Sequence, residues 1–205
     1  VTVFSELSSD QQSAVLNDLF TNTTNDGASF NLMRHTIASS DLSTNVYTYD
    51  DASSADTSLS SWSLTDAGNN MVSWISKFAS ASGSMKLLGS VWSPPGWMKL
   101  NGVTSGSTDN NNLDPQYADA YADYFVKYIQ AFADGGVTVD AITIQNEPLN
   151  SQSGYPTMYV SADNSTSLIQ NNVGPALKSA NLDTEIWAYD HNTGWYAFIL
   201  NKCIS

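Results

Sequence analysis

The sequence predicts a parallel α/β architecture in which strands and helices follow one another as βα units. Two observations carry that expectation. Segments of helical and strand character alternate along the 205 residues, as stacked βα units require. The connections are also asymmetric: those after strands are long, above all residues 38–63 and 91–116, whereas those after helices are short. In a βα barrel the loops beyond the strand C-termini build the site, so the asymmetry marks a working face without naming its chemistry.

Taken in order, Ser8 or Ser9 can cap a helix whose apolar stripe is Val15, Leu16, Leu19 and Phe20. A strand is expected over residues 30–35. Asp66 opens a second helix with Met71, Trp74, Ile75 and Phe78 at helical spacing. A strand over 86–90 and a loop rich in Pro, Gly and Asn come next. The third helix is the clearest element: Tyr117, Tyr121, Tyr124, Phe125, Tyr128, Ile129 and Phe132 form one face, and Gly135-Gly136 stops it. A strand over 139–144 runs into Gln145-Asn146-Glu147-Pro148. A fourth helix spans about 162–180, interrupted at Pro175, and a last strand spans 184–189. There is no further repeat and no linker dividing the chain into two domains.

Composition removes several classes of partner. The formal net charge is −13, Lys and Arg total seven, and Arg34 is the only arginine. So few cations cannot neutralise a run of phosphates, which argues against nucleic acid and against an anionic membrane surface. A neutral polysaccharide is compatible with this charge. The longest apolar run, residues 195–200, is too short to span a bilayer. No basic stretch followed by an apolar one opens the chain, so a processed N-terminus is expected. Together with abundant Ser, Thr and Asn, and sequons at Asn22-Thr23-Thr24 and Asn164-Ser165-Thr166, this points to a secreted, extracellular protein. Cys203 is alone, so no internal disulfide is expected.

Only three glutamates occur: Glu6, Glu147 and Glu185. Glu147 follows the end of the 139–144 strand, where barrels present their catalytic groups. Alternation along that strand sets Ile142 and Ile144 on one face and Thr143, Gln145 and Glu147 on the other. The apolar pair would meet the helices and the polar set the barrel interior. Pro148 ends the ladder where the carboxylate is presented. The plainer reading is a surface glutamate at a turn. Glu185 stands at the opposite, structural end of its strand, roughly 16 Å from Asp190 at about 3.3 Å per residue.

Trp92-Ser93-Pro94-Pro95-Gly96-Trp97-Met98 is a proline-stiffened strand-end loop with two indoles suited to sugar rings. For Trp62 and Trp74, core packing is the expectation. Arg34 with Asp41, and Asp190 with His191, also gather at strand ends; an Arg–Asp pair is more often structural. Two distant histidines and one cysteine give no zinc spacing, no Gly-rich phosphate loop follows a strand, and no Gly-x-Ser-x-Gly elbow is present.

Asn146-Glu147-Pro148 after one strand and Ser93-Pro94-Pro95-Gly96-Trp97-Met98 after the preceding one resemble glycoside hydrolase family 30. Leu32-Met33-Arg34-His35-Thr36-Ile37 and Ser40-Asp41-Leu42-Ser43 make the resemblance specific, since Asn-Glu-Pro alone recurs across retaining barrel glycosidases. Within the family, Trp97-Met98-Lys99-Leu100-Asn101-Gly102 and the stretches 141–149 and 184–193 are most similar to the fungal endo-β-1,6-glucanases. The resemblance implies a (β/α)₈ TIM barrel with a side β-domain that hydrolyses β-1,6-glucan with retention, without metal or organic cofactor. It makes Glu147 the acid/base and Asn146 the contact to the sugar 2-hydroxyl. Asp41, Trp92, Asp190 and His191 would line the −1 subsite, with Arg34 supporting it from below; Trp97, by the loop reading above, offers a further sugar-facing ring.

The same resemblance defines what the chain lacks. Residues 1–193 correspond to the second to fifth barrel strands; the Gly-rich first strand, the side domain and the C-terminal half with the nucleophilic glutamate are expected to be absent. Residues 194–205 read as a tail unlike the family. The 205 residues alone are therefore expected to be inactive, with edges that a second chain could cover. The alternative function is a non-catalytic glucan-binding or interaction fragment. The sequence leaves β-1,6-galactan and glucosylceramide, and endo against exo action, open.

Overall fold

The structure, a computed structural model, describes residues 2–21, 27–106 and 109–192. The sequon at Asn22, the lone Cys203 and the tail from residue 194 lie outside the described residues. Four strands form one sheet in chain order: β1 (Leu32–Ile37), β2 (Lys86–Val91), β3 (Ala141–Thr143) and β4 (Glu185–Trp187). All three pairings are parallel. Helices α1 (Thr2–Ser5) and α2 (Ser9–Phe20) precede β1. The crossovers run through α3 (Thr65–Ser82), then α4 (Ala118–Asp134), then α5 (Ala162–Leu168) with α6 (Gly174–Ser179). This is the expected βα succession, a partial barrel of four strands with helices on one side.

Local chemistry sets the ends of these elements. Ser8 and Gln11 form a reciprocal capping box at the start of α2. Gly83, at φ 70°, takes the left-handed position that ends α3, where a Cβ would be strained. The break in the last crossover falls ahead of Pro175, not on it. Residues Ile169–Val173 widen into a π-turn, the Gly174 N–H reaches back to the Ile169 carbonyl, and Pro175 sits in the first turn of α6. A proline ring collides with the carbonyl four residues earlier inside a regular helix, and the wider turn relieves that collision.

Pairing partners also move two strand boundaries. β1 begins at Leu32, two residues later than hydrophobicity suggests, because its ladder runs in register from Leu32↔Lys86 to Ile37↔Val91. Phe30 is left outside it and half exposed. β3 keeps only three regular residues, matched to three in β4. Single bonds prolong it at each end, from Asp140 N to Leu87 O (3.0 Å) and from Asn146 N to Val91 O (2.7 Å).

The sheet has two unlike faces. Ile37, Leu87, Val91 and Ile142 lie in one buried cluster with Tyr121, Tyr124, Phe125, Tyr128 and Phe132 of α4. Burying each such side chain contributes about 1.5–3 kcal/mol. The phenol heads are satisfied as well: Tyr121 donates to Ile144 O at 2.6 Å, and Tyr124 Oη accepts from Tyr49 N at 3.0 Å. Gly89 lies under Tyr128, where a Cβ would collide with the hydroxyl that meets His35 Nε2 at 2.6 Å. The opposite, inner face carries Leu32, Arg34, Ser90, Thr143 and Trp187; Leu32 and Trp187 are 57% and 42% exposed. Trp74 is buried beside Phe4 and Phe78, and Trp62 packs partly buried against Tyr49, as expected of core residues.

Candidate active site

The polar residues of the inner face converge where the strands end. Arg34 projects from the middle of β1, and its Nη2 lies 2.7 Å from Asn146 Oδ1, 2.7 Å from Asp190 Oδ2 and 3.1 Å from Ser90 Oγ. Asp190 Oδ2 in turn accepts from Ser90 Oγ at 2.6 Å and Thr143 Oγ1 at 2.9 Å. One guanidinium thus links residues from all four βα units in a charge-assisted network. Arg34 also lies over the Trp92 ring, 5.0 Å from its centroid, within cation–π range.

The regular strand ends at Thr143, although Ile144 still packs in the core cluster with Ile142, so the direction of Glu147 is set by a turn. Pro148 disfavours the right-handed helical region for the residue before it. Glu147 instead takes φ 45°, a left-handed conformation that costs a non-glycine residue about 1–2 kcal/mol. Bonds on both sides hold it there: Glu147 N donates to Asp190 O at 2.8 Å, and Asn150 N donates to Glu147 O at 2.8 Å. Strain maintained by its surroundings is found at functional sites more often than elsewhere. The carboxylate is half-buried, and Asn150 Nδ2 donates to its Oε2 at 2.8 Å and to Tyr155 Oη at 3.3 Å.

The other expected site residues divide into those bonded or stacked into this cluster and those outside it. Asn146, Arg34, Asp190 and Trp92 belong to the cluster. Trp92 is 8% exposed, with its carbonyl bound by Gln145 Nε2 at 2.7 Å. The ion pair of Arg34 is with Asp190, not Asp41. Asp41 is exposed in the loop after β1 and makes no hydrogen bond among the described residues. His191 is half-buried, stacks on Tyr189 at 6.0 Å and accepts from Asn192 N. Trp97 is half-buried, its indole N–H held by Asp50 O at 3.1 Å and its ring edge-on to Tyr117. Glu185 is exposed at the start of β4, beside the Trp187 indole N–H at 3.4 Å.

Several participants were not singled out from sequence. Ser90 shares the face of Arg34 by strand parity and could have been found that way; Asn150 and Tyr155 lie in an irregular loop that carries no periodic signal. Buried Lys99 joins two of the long loops, donating to Thr104 O and Thr157 O. Burial without a counter-charge pulls its ammonium down to about 7. No three His, Cys, Asp or Glu side chains converge as metal ligands among the described residues, and no described helix is long and apolar enough to cross a membrane.

The chain is similar to known proteins over most of its length. The endo-1,6-beta-D-glucanase of Neurospora crassa is 56% identical over 195 residues, covering 94% of this chain and 40% of that protein. The lysosomal acid glucosylceramidase of Mus musculus is 31% identical over 173 residues, covering 80% of this chain and 33% of the relative. Among solved structures, the endo-beta1,6-glucanase BT3312 superposes with a TM-score of 0.83 at 28% identity, over 95% of this chain and 42% of that one. The chain thus spans about two fifths, or less, of the length of these proteins. The glycosyl hydrolase family 30 TIM-barrel domain matches residues 2–199, and the chain belongs to that family.

Proposed function

We propose that this chain forms part of a retaining β-1,6-glucan hydrolase in which Glu147 is the general acid/base. The carrying observation is the Glu147 carboxylate, held by Asn150 beside the Arg34–Asn146–Asp190 network at the strand ends. Retention requires two carboxyl groups about 5–5.5 Å apart, one attacking the anomeric carbon and one protonating the leaving oxygen. Glu147 protonates the glycosidic oxygen, then takes a proton from the water that releases the glycosyl-enzyme. The nucleophilic glutamate is supplied by residues beyond these 205. Asn146 holds the 2-hydroxyl, and Asp41, Trp92, Asp190 and His191 line the −1 subsite, with Arg34 beneath and Trp97 at the rim. The reading includes an extracellular location and a polypeptide that covers the open edges at β1 and β4, since exposed strand edges invite pairing.

In the full-length protein, Glu147→Gln slows release of reducing ends from unactivated β-1,6-glucan by about 10²–10⁴-fold. Substrates with a good leaving group lose less in the first step, because they need little protonation. An unchanged rate on natural glucan removes Glu147 from the mechanism. The 205-residue chain by itself lacks the nucleophile and is expected to be inactive. The second reading, a glucan-binding fragment without chemistry, is supported by the same indole-bearing loop; retained glucan binding by the isolated chain favours it.

A further inference from the structure

We propose that Asn164 carries an N-linked glycan whose first N-acetylglucosamine lies in the groove between α5 and the segment leading into α4. Asn164 is exposed at the third position of α5, whereas Ser165 and Leu168 beside it are buried. Its backbone N–H is taken by the cap, donating to Ser161 Oγ at 3.2 Å. Its side-chain amide makes no hydrogen bond among the described residues, so substitution at Nδ2 breaks none. The folded chain therefore tolerates a sugar at this sequon, which sequence alone cannot establish.

Asn164 also opens onto a groove of about 280 Å³. Leu113, Pro115, Tyr159 and Leu168 supply apolar surface there, and Asn164 and Asn172 a polar rim. Tyr159 is 37% exposed. A pyranose ring combines an apolar C–H face with polar edges, and a groove of this composition matches both. The walls are tied before any sugar arrives: Tyr159 N donates to Asn111 O at 2.7 Å and Asn112 Nδ2 to Tyr159 O at 3.0 Å, while Asn172 Nδ2 donates to Asp119 Oδ1 at 2.7 Å. None of the groove residues belongs to the Glu147 network.

The donor is an oligosaccharide linked through a diphosphate to a lipid, used by the transferase of the secretory pathway. The bond from Nδ2 to the anomeric carbon forms as the bond from that carbon to the diphosphate oxygen breaks. The amide loses one proton, and the lipid diphosphate leaves with the electron pair. The inference shares the extracellular route with the proposed function, but a supplied secretory leader tests it independently of glucan hydrolysis.

The experiment expresses the 205-residue chain behind such a leader in a fungal host, releases glycans enzymatically in heavy-oxygen water and maps the peptides. Labelled aspartate at position 164 is expected, and Asn164→Gln should remove one glycan from the chain. Translation with microsomes gives the same readout as a gel shift if the secreted protein does not accumulate. Unmodified Asn164, or label confined to Asn22, overturns the proposal. For the seating in the groove, glycan release from native protein should be severalfold faster in Tyr159→Ala. Equal rates in the two proteins overturn that part.

Discussion

The two faces of the β1–β4 sheet are built from alternate residues of the same strands, yet His35 and Arg34 meet opposite fates. His35 faces α4, where it is buried, stacked on Phe132 at 5.1 Å and bound to the Tyr128 hydroxyl. Desolvation is the main force on its imidazole and pulls its pKa down to about 3. Arg34, one residue earlier, points to the inner face with 37% of its side chain accessible and three acceptors around one nitrogen. On the outer face the few polar groups are enclosed by an aromatic core, and His35 meets Tyr128 through Nε2 alone of its two ring nitrogens. On the inner face they bond to one another around a partly exposed guanidinium. One strand pattern thus separates an aromatic core from a polar network.

The comparison can be broken by substitutions on either side. The largest loss of stability is expected from Phe132→Ala, about 3–5 kcal/mol by urea or thermal unfolding, because a fully buried ring leaves a cavity. Gly89→Ala comes next, at about 1–3 kcal/mol, since the new methyl displaces Tyr128. Removing that hydroxyl with Tyr128→Phe should make the double variant less damaged than the sum of the singles, a coupling that a double-mutant cycle measures. Strict additivity would show that the two residues do not share this contact.

Acid sharpens the same contrast. Native His35 stays neutral down to about 3, whereas the unfolded chain takes up a proton near 6.5. The stability associated with neutral His35 is therefore complete above 6.5 and lost as pH falls towards 3. The loss is about 1.4 kcal/mol per pH unit within that window. His35→Gln should flatten this part of the pH–stability curve; an unaltered slope would assign acid sensitivity to other groups. The smallest stability effect is expected on the inner face. Asp190→Asn keeps the shape and removes the charge opposite a partly exposed guanidinium, where solvent screening limits the loss to about 1 kcal/mol or less. A loss rivalling that of Phe132→Ala would make the inner network structural.

How much of this was legible in the sequence depended on the range of the forces involved. Helix α4 was readable because seven aromatic and aliphatic side chains recur at helical spacing and two glycines follow. The strands were readable as apolar runs, but β1 and β3 ended elsewhere because hydrogen-bond register belongs to the neighbouring strand. The Asn146-Glu147-Pro148 stretch announced itself by its place after a strand and by its resemblance to a family. The Asn150 contact to Glu147 did not, since a loop has no period from which to read a direction. Likewise Arg34 was picked out as the only arginine, but its ion-pair partner was not.

The sequence by itself therefore determined the βα order, the family, the apolar and polar faces of the strands and the position of the candidate acid/base. These follow from local periodicity, caps and contiguous motifs. Only the tertiary structure decided that Arg34 joins Asp190 across 156 positions, that Glu147 sits in a left-handed turn held by Asn150, and that Trp92 is buried under a guanidinium. It also decided that the helix break lies before Pro175, in a turn whose widening relieves the ring. The physical reason is common to all four. Each depends on which distant or irregular backbone segment comes within hydrogen-bonding or packing distance, and no residue carries that information alone.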